Sequence, residues 1–266
     1  HKRVIALAAA LGGGVLCAGL AHADDDGARL LSGSTEALIM GPSAFATPDA
    51  RYLSSADQIY LNQLGFPTDG TTVALTTPET DGNFGPSVAA GETDLTNTVV
   101  ADWNAGGFSA SDPLTIMGFS QSAVIASLDQ QTLAKEGIPS DALRFVLIGD
   151  TSSAEGGLLN TFGDTPIGEQ ILTWLGDGNL IDATTPDNLY PTDVFTLQGD
   201  GWANWDNGLN LLGMFSTHLE YFGLTAQDIA SATLTIVDGL TDYYSLPDPA
   251  NLLETLLTAA INAGLG

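Results

Sequence analysis

Cysteine occurs once in 266 residues, at Cys17, histidine three times, and lysine and arginine together only six times against 32 aspartates and glutamates. A single thiol leaves no partner for an intrachain disulfide, so the fold must rest on core packing alone. The formal charge of -26 repels nucleic acid and anionic lipid headgroups, and a substrate is expected to be neutral or held by its apolar part. A halophilic or acid-tolerant setting would favour the same charge balance. Histidine and cysteine are too scarce for a metal set, and Asp24-Asp25-Asp26 reads as a solvated stretch. With no Gly-x-Gly-x-x-Gly or Walker pattern either, no cofactor is expected.

Hydrophobic residues make up 44% of the chain and mean hydropathy is +0.16, which excludes global disorder. Part of that content lies at the start. Lys2 and Arg3 precede the apolar run Val4 to Leu20, which ends at Ala21-His22-Ala23. This order predicts a secretory signal over residues 1–23, cleaved after Ala23. The other reading is a retained anchor, but Gly12-Gly13-Gly14 weakens a helix, and the run barely reaches the ~20 residues of a membrane span. Leu16 before Cys17 argues against lipidation. Removing Lys2 and Arg3 leaves four basic residues against the same 32 acids, a formal charge of -28. Residues 24–35 then form a mature extension and 36–266 one domain, expected to be secreted or associated with the cell envelope, and monomeric.

Glu36 to Met40 reads as a buried strand leading into the loop Gly41-Pro42-Ser43. Thr47-Pro48-Asp49 predicts a helix start, with Thr47 as cap, and apolar residues recur at helical spacing from Tyr52 to Leu64. Thr71 to Thr76 is a second strand, residues 77–86 a loop, and Ala89 to Ala105 a helix. Leu114 to Met117 and Arg144 to Ile148 are further apolar strands, and Asp193 to Leu197 another; a helical stretch follows around Leu209 to Phe215. This alternation predicts an α/β fold with a mostly parallel sheet covered by helices on both faces. Residues 151–192 interrupt the rhythm with a polar, glycine-rich insertion carrying Ile167, Ile171, Leu172, Trp174 and Leu175. It is read as a lid, a plain surface excursion being the other reading.

Leu114 to Ala123 carries the densest chemical signal. Strand-like residues run into Gly118-Phe119-Ser120-Gln121-Ser122, and a helical stretch follows. That is the layout of a nucleophile elbow, whose turn lifts a serine hydroxyl clear at the carboxyl edge of a sheet. Ser120 is the candidate nucleophile. A serine needs a histidine to take its proton and an acid to orient that histidine. With His1 and His22 inside the signal, His218 remains as the base. Asp200, between two glycines just past a strand, is the first candidate for the acid; Asp150, directly after Ile148-Gly149, is the rival, and Asp193 and Asp206 are weaker. The oxyanion hole calls for the backbone N–H of Gln121 and a second donor from the loop after the first strand, where Ser43 is best placed.

These residues resemble a known family. Leu38 to Gly41, Gly118 to Ala123, Phe145 to Asp150, Tyr190 to Asp193, Gly199 to Ala203 and Thr241 to Pro247 look, in that order, like the PE-PPE hydrolase domain of mycobacteria and their relatives, across about residues 36 to 255. The resemblance implies a cutinase-like α/β-hydrolase with esterase activity on short to medium acyl esters. It implies Ser120 as nucleophile, His218 as base and Asp200 as acid. With a signal in place of a PE or PPE module, the chain resembles an exported branch that includes acyltransferases building acyl-trehalose lipids. An acyltransferase is therefore the alternative to the esterase, and a lipid-binding protein without catalysis a second alternative.

Overall fold

The apolar runs assemble into one seven-stranded sheet in the computed structural model of the chain, which describes residues 29–80, 83–161, 165–175, 180, 183–205 and 210–264. The expected signal over residues 1–23, Asp24 to Asp26 and Asp206 lie outside the described residues, as do the side chains of Ile167, Ile171, Leu172, Trp174 and Leu175. The strands are β1 (Glu36–Ile39), β2 (Thr71–Ala74), β3 (Leu114–Phe119), β4 (Leu143–Ile148), β5 (Thr192–Leu197), β6 (Thr233–Asp238) and β7 (Thr241–Leu246). Their order is β2-β1-β3-β4-β5-β7-β6. Every pair is parallel except the hairpin β6–β7.

Alternation along each strand sorts the core into two layers. Ile39, Met117, Phe119, Val146, Ile148, Phe195, Leu197 and Tyr244 face one side. There they meet Tyr52, Ala56 and Ile59 of α1 (Ala50–Ile59), Ile229 of α6 (Ala226–Ala230) and Ala259 of α7 (Leu252–Asn262). Leu38, Ile116, Phe145, Leu147 and Val194 face the other, against α2 (Phe84–Ala105) and α3 (Gln121–Lys135). Burial on both faces explains why β3 and β4 read as unbroken apolar runs. No helix among the described residues is long and apolar enough to cross a membrane.

Several local expectations are corrected. Thr47 does not cap α1: Asp49 does, accepting from the N–H groups of Arg51 and Tyr52, while the Thr47 hydroxyl pairs with that of Thr76 at 2.9 Å. A carboxylate one residue from the helix reaches its free N–H groups better than a threonine two residues further back. Helix α2 starts at Phe84, not Ala89, with Pro86 in its first turn, where a missing N–H removes no intrahelical bond. Of the stretch around Leu209 to Phe215, the described residues, from Asn210 on, form a 3-10 turn at Leu211–Met214 and no α-helix. The insertion holds α4 (Leu158–Thr161) and α5 (Pro166–Leu175). Its returning limb is pinned to the sheet, because Thr185 donates to Asp150 Oδ2 at 2.6 Å and accepts from Ser127 of α3 at 3.0 Å.

Two carboxyl groups are buried with half of each left unpartnered. Asp129 of α3 accepts from Thr96, and Glu79 accepts from Thr77 at 2.7 Å, but Asp129 Oδ2 and Glu79 Oε2 have no hydrogen-bond partner among the described residues. Burial pushes both up to about 7. A carboxyl held above its unfolded value binds its proton more readily in the folded chain, so its contribution to stability is full below the unfolded value and is lost as pH rises toward 7. The melting temperature is therefore expected to fall between pH 4 and pH 8. Asp129→Asn, which keeps the acceptor for Thr96 and removes the charge, should flatten that fall in a thermal-melt series across pH; an unchanged slope would contradict the assignment.

Candidate active site

Residue Ser120 sits where β3 ends and α3 begins, with φ 59° and ψ -118°, a backbone region that non-glycine residues rarely occupy. The turn is over-determined by its neighbours. Ser120 N–H donates to the Ile148 carbonyl at 2.9 Å, and the Ser120 carbonyl accepts from Ala123 and Val124 at 3.0 and 3.2 Å. Strand and helix pass so close that a Cβ on Gly118 would lie 2.3 Å from the Ser122 carbonyl oxygen. Ser122 adds a tie, since its hydroxyl accepts from Phe119 N–H at 2.9 Å and donates to the Phe119 carbonyl at 3.1 Å. The serine in the last elbow position is thus a bond across the turn as well as a small residue. Side-chain size accounts for its smallness; only coordinates reveal the bond.

His218 lies on a 3-10 turn, Thr217–Leu219, in the segment between β5 and α6. Its Nε2 is 2.8 Å from Ser120 Oγ and its Nδ1 is 2.8 Å from Asp200 Oδ2. Asp200 stands just beyond β5 and is fully buried. Every direction around its carboxylate is filled: Oδ2 also accepts from Tyr221 Oη at 2.8 Å, and Oδ1 accepts from the N–H groups of Trp202 and Ala203 at 2.9 and 3.4 Å. With Asp200 accepting at Nδ1, the ring proton belongs there, and the Nε2 lone pair is left for the serine hydroxyl. The rings of Phe119, Tyr221 and Trp202 surround the imidazole at centroid separations of 5.5, 6.1 and 6.3 Å. The two loops that carry acid and base press together backbone to backbone, since a Cβ on Gly213 would lie 1.7 Å from the Gly199 carbonyl oxygen.

Serine, histidine and Asp200 are thus brought into one hydrogen-bonded line, and Asp150 is kept out of it. The Asp150 carboxylate accepts instead from the N–H and hydroxyl of Ser152 and from Thr185, which makes it the clamp at the root of the insertion. Burial pushes its carboxyl up. Asp193 lies inside β5, buried and remote in register from the strand's carboxyl end. Ser43 lies in the loop after β1, the strand beside β3, and its hydroxyl donates to Gln121 Oε1 at 3.0 Å. Gln121 opens α3, so its N–H precedes the first intrahelical bond. Tyr221, which the sequence reading missed, belongs to this group: its hydroxyl donates to Asp200 and accepts from Leu197 N–H at 2.9 Å. Its position three residues after His218 was the available signal.

Residues 59–257 match the PE-PPE domain family model. An uncharacterized PPE family protein, PPE28, of Mycobacterium tuberculosis is 31% identical over 278 residues, covering 90% of this chain and 40% of that protein. Esterase PE16 of the same species is 32% identical over 241 residues, covering 83% of this chain and 43% of its own length. The chain therefore spans less than half the length of these relatives. Among solved structures, a cutinase-like protein from Cryptococcus sp. overlaps 89% of this chain and 98% of its own, at 14% identity and a TM-score of 0.44.

The site's buried tyrosine gives a stability test. Tyr221→Phe strips a donor from the Asp200 carboxylate and an acceptor from Leu197 N–H, both in the interior. Unfolding free energy from urea titration should drop by about 1–3 kcal/mol. No change would show that these contacts contribute nothing to the folded state.

Proposed function

Because the chain belongs to the PE-PPE domain family, and because one hydrogen-bonded line joins Asp200, His218 and Ser120, we propose that it is a serine esterase that works through an acyl-enzyme on Ser120. The observation that carries this reading is the 2.8 Å contact between His218 Nε2 and the hydroxyl of a serine held at positive φ. Ser120 Oγ attacks the ester carbonyl as its proton passes to His218 Nε2, and Asp200 stabilises the imidazolium through Nδ1. The N–H groups of Gln121 and Ser43 receive the developing oxyanion. His218 then returns the proton to the departing alkoxide. In the second half water attacks the acyl-Ser120 carbonyl as its proton passes to His218 Nε2; the bond to Ser120 Oγ then breaks, His218 returns that proton to Oγ, and the free acid leaves.

The substrate reading is a neutral acyl ester of short to medium chain. Leu212, Phe215 and Leu219 are 83%, 72% and 55% exposed and bracket His218 along the chain. From Asn210 to Leu219 there is no carboxylate, on a chain that carries 32. An acyl chain can lie on such a surface, whereas the acidic remainder disfavours anionic ligands. Export is part of the same proposal, supported by the order Lys2-Arg3, apolar run and Ala21-His22-Ala23.

Turnover of p-nitrophenyl butyrate, with the free acid measured alongside the chromophore, tests the reaction. Ser120→Ala should abolish it, and Asp200→Asn should lower kcat about 10³- to 10⁴-fold while Asp150→Asn retains most of it. Equal activity of Ser120→Ala and the unaltered chain would overturn the proposal, and an acyl group recovered on an added alcohol would point to transfer. For the substrate class, Leu212→Glu combined with Phe215→Glu should lower the octanoate-to-acetate ratio of kcat/KM by about tenfold, the effect of losing roughly 1.4 kcal/mol of apolar contact. A ratio that does not move would place the acyl chain elsewhere.

A further inference from the structure

The part assigned to Gln121 uses only its backbone N–H, yet its side chain is fully buried and engaged at both ends. Oε1 accepts from Ser43 Oγ at 3.0 Å, and Nε2 donates to Ser87 Oγ at 2.6 Å. Ser87, in the first turn of α2, also accepts from Thr80 N–H at 2.9 Å. The same loop holds the Ser43 turn from its other side, because Ala44 N–H donates to the Glu79 carbonyl at 2.7 Å. One amide thus joins the loop after β1, the loop after β2, the start of α2 and the elbow.

This arrangement limits what Ser43 can offer a ligand. Its single hydroxyl proton is directed at Gln121 Oε1, and the next N–H, on Ala44, is already given to Glu79. The N–H of Ser43 itself has no protein acceptor among the described residues, and neither has that of Gln121. Ala44 holds φ at +69°, so the turn is a conformation that its own residues do not favour and that outside contacts must maintain. Oxyanion donors act only when held within about 2.7–3.1 Å of the developing charge, and two donors from separate loops have no covalent reason to stay in register. A buried amide with both ends bonded supplies that reason.

We propose that the Gln121 side chain is a positioning residue: by clasping Ser43 and Ser87 it sets the Ser43 N–H beside its own, so that one residue supplies the first oxyanion donor and aims the second. This rests on the esterase reading above and goes beyond it by assigning work to a side chain that touches neither substrate nor the reacting atoms.

The test is a pair of variants and their combination, assayed with p-nitrophenyl butyrate. Gln121→Met keeps length and burial but removes both bonds, and Ser43→Ala removes one of them from the other end. Each is expected to lower kcat by about ten- to a hundredfold, short of the 10²–10³ loss for a donor removed outright, with KM changed less than about threefold. The double variant should be no slower than the worse single one, because both break the same contact. Gln121→Glu adds a signature that plain core packing would not produce. A protonated carboxyl has one donor and one acceptor, as the amide does, so its activity relative to the unaltered chain should be highest at low pH and fall as the new acid ionises. Unchanged kcat in Gln121→Met, losses that multiply in the double variant, or a flat Gln121→Glu ratio would each overturn the clasp. Should Gln121→Met not fold, Ser87→Ala breaks the other end of the clasp, and an unchanged kcat there has the same force. An inactive Ser120→Ala beside a fully active Gln121→Met defeats the clasp alone; a fully active Ser120→Ala defeats the esterase reading itself.

Discussion

The site depends on one buried carboxylate being fully occupied. Asp200 is drawn out of water completely, and an acid in that position is tolerated only when its oxygens are met by donors. Tyr221, Trp202, Ala203 and His218 meet them. The arrangement orients the imidazole and at the same time joins the loop after β5 to the segment before α6. Tyr221 extends the tie into the sheet through Leu197 N–H, and Tyr60 of the α1 layer holds the Tyr221 carbonyl at 2.7 Å. A chain of contacts therefore runs from the first helix to the base without leaving the interior.

Much of this was legible beforehand, for identifiable reasons. Strands buried on both faces announce themselves as apolar runs, so β1, β3, β4 and β5 could be read within a residue or two of their ends. The Gly118 to Ser122 turn was readable because close packing of strand and helix dictates residue size as well as order. The hairpin β6–β7 escaped the reading because β6 alternates exposed with half-buried residues and is weakly apolar. The role of Asp150 escaped as well, since a buried aspartate after a strand looks alike in sequence whether it faces a histidine or, as here, Ser152 and Thr185. Gln121 shows the same limit: chain order points to its N–H, while its side chain finds partners 78 and 34 positions away.

The segment that carries His218 has no carboxylate from Asn210 to Leu219, on a chain that carries 32. The interior follows a different rule, for burial pushes the Glu79 and Asp129 carboxyls up to about 7. An acidic exterior favours solubility, and carboxyl groups protonated in the core favour the folded chain at low pH. Glu79 connects the second property to the site, since its carbonyl holds the Ser43 turn while burial pushes its side-chain carboxyl up to about 7.

The central claim is that Ser120 becomes covalently acylated because His218 removes its proton. Peptide mapping by mass spectrometry after brief exposure to a fluorophosphonate tests it most directly, as the reagent traps an activated serine and ignores idle ones. The account predicts one adduct, on the peptide that contains Ser120, formed rapidly in the unaltered chain and lost in His218→Gln. Labelling that is absent, falls on another serine, or persists without His218 would contradict it.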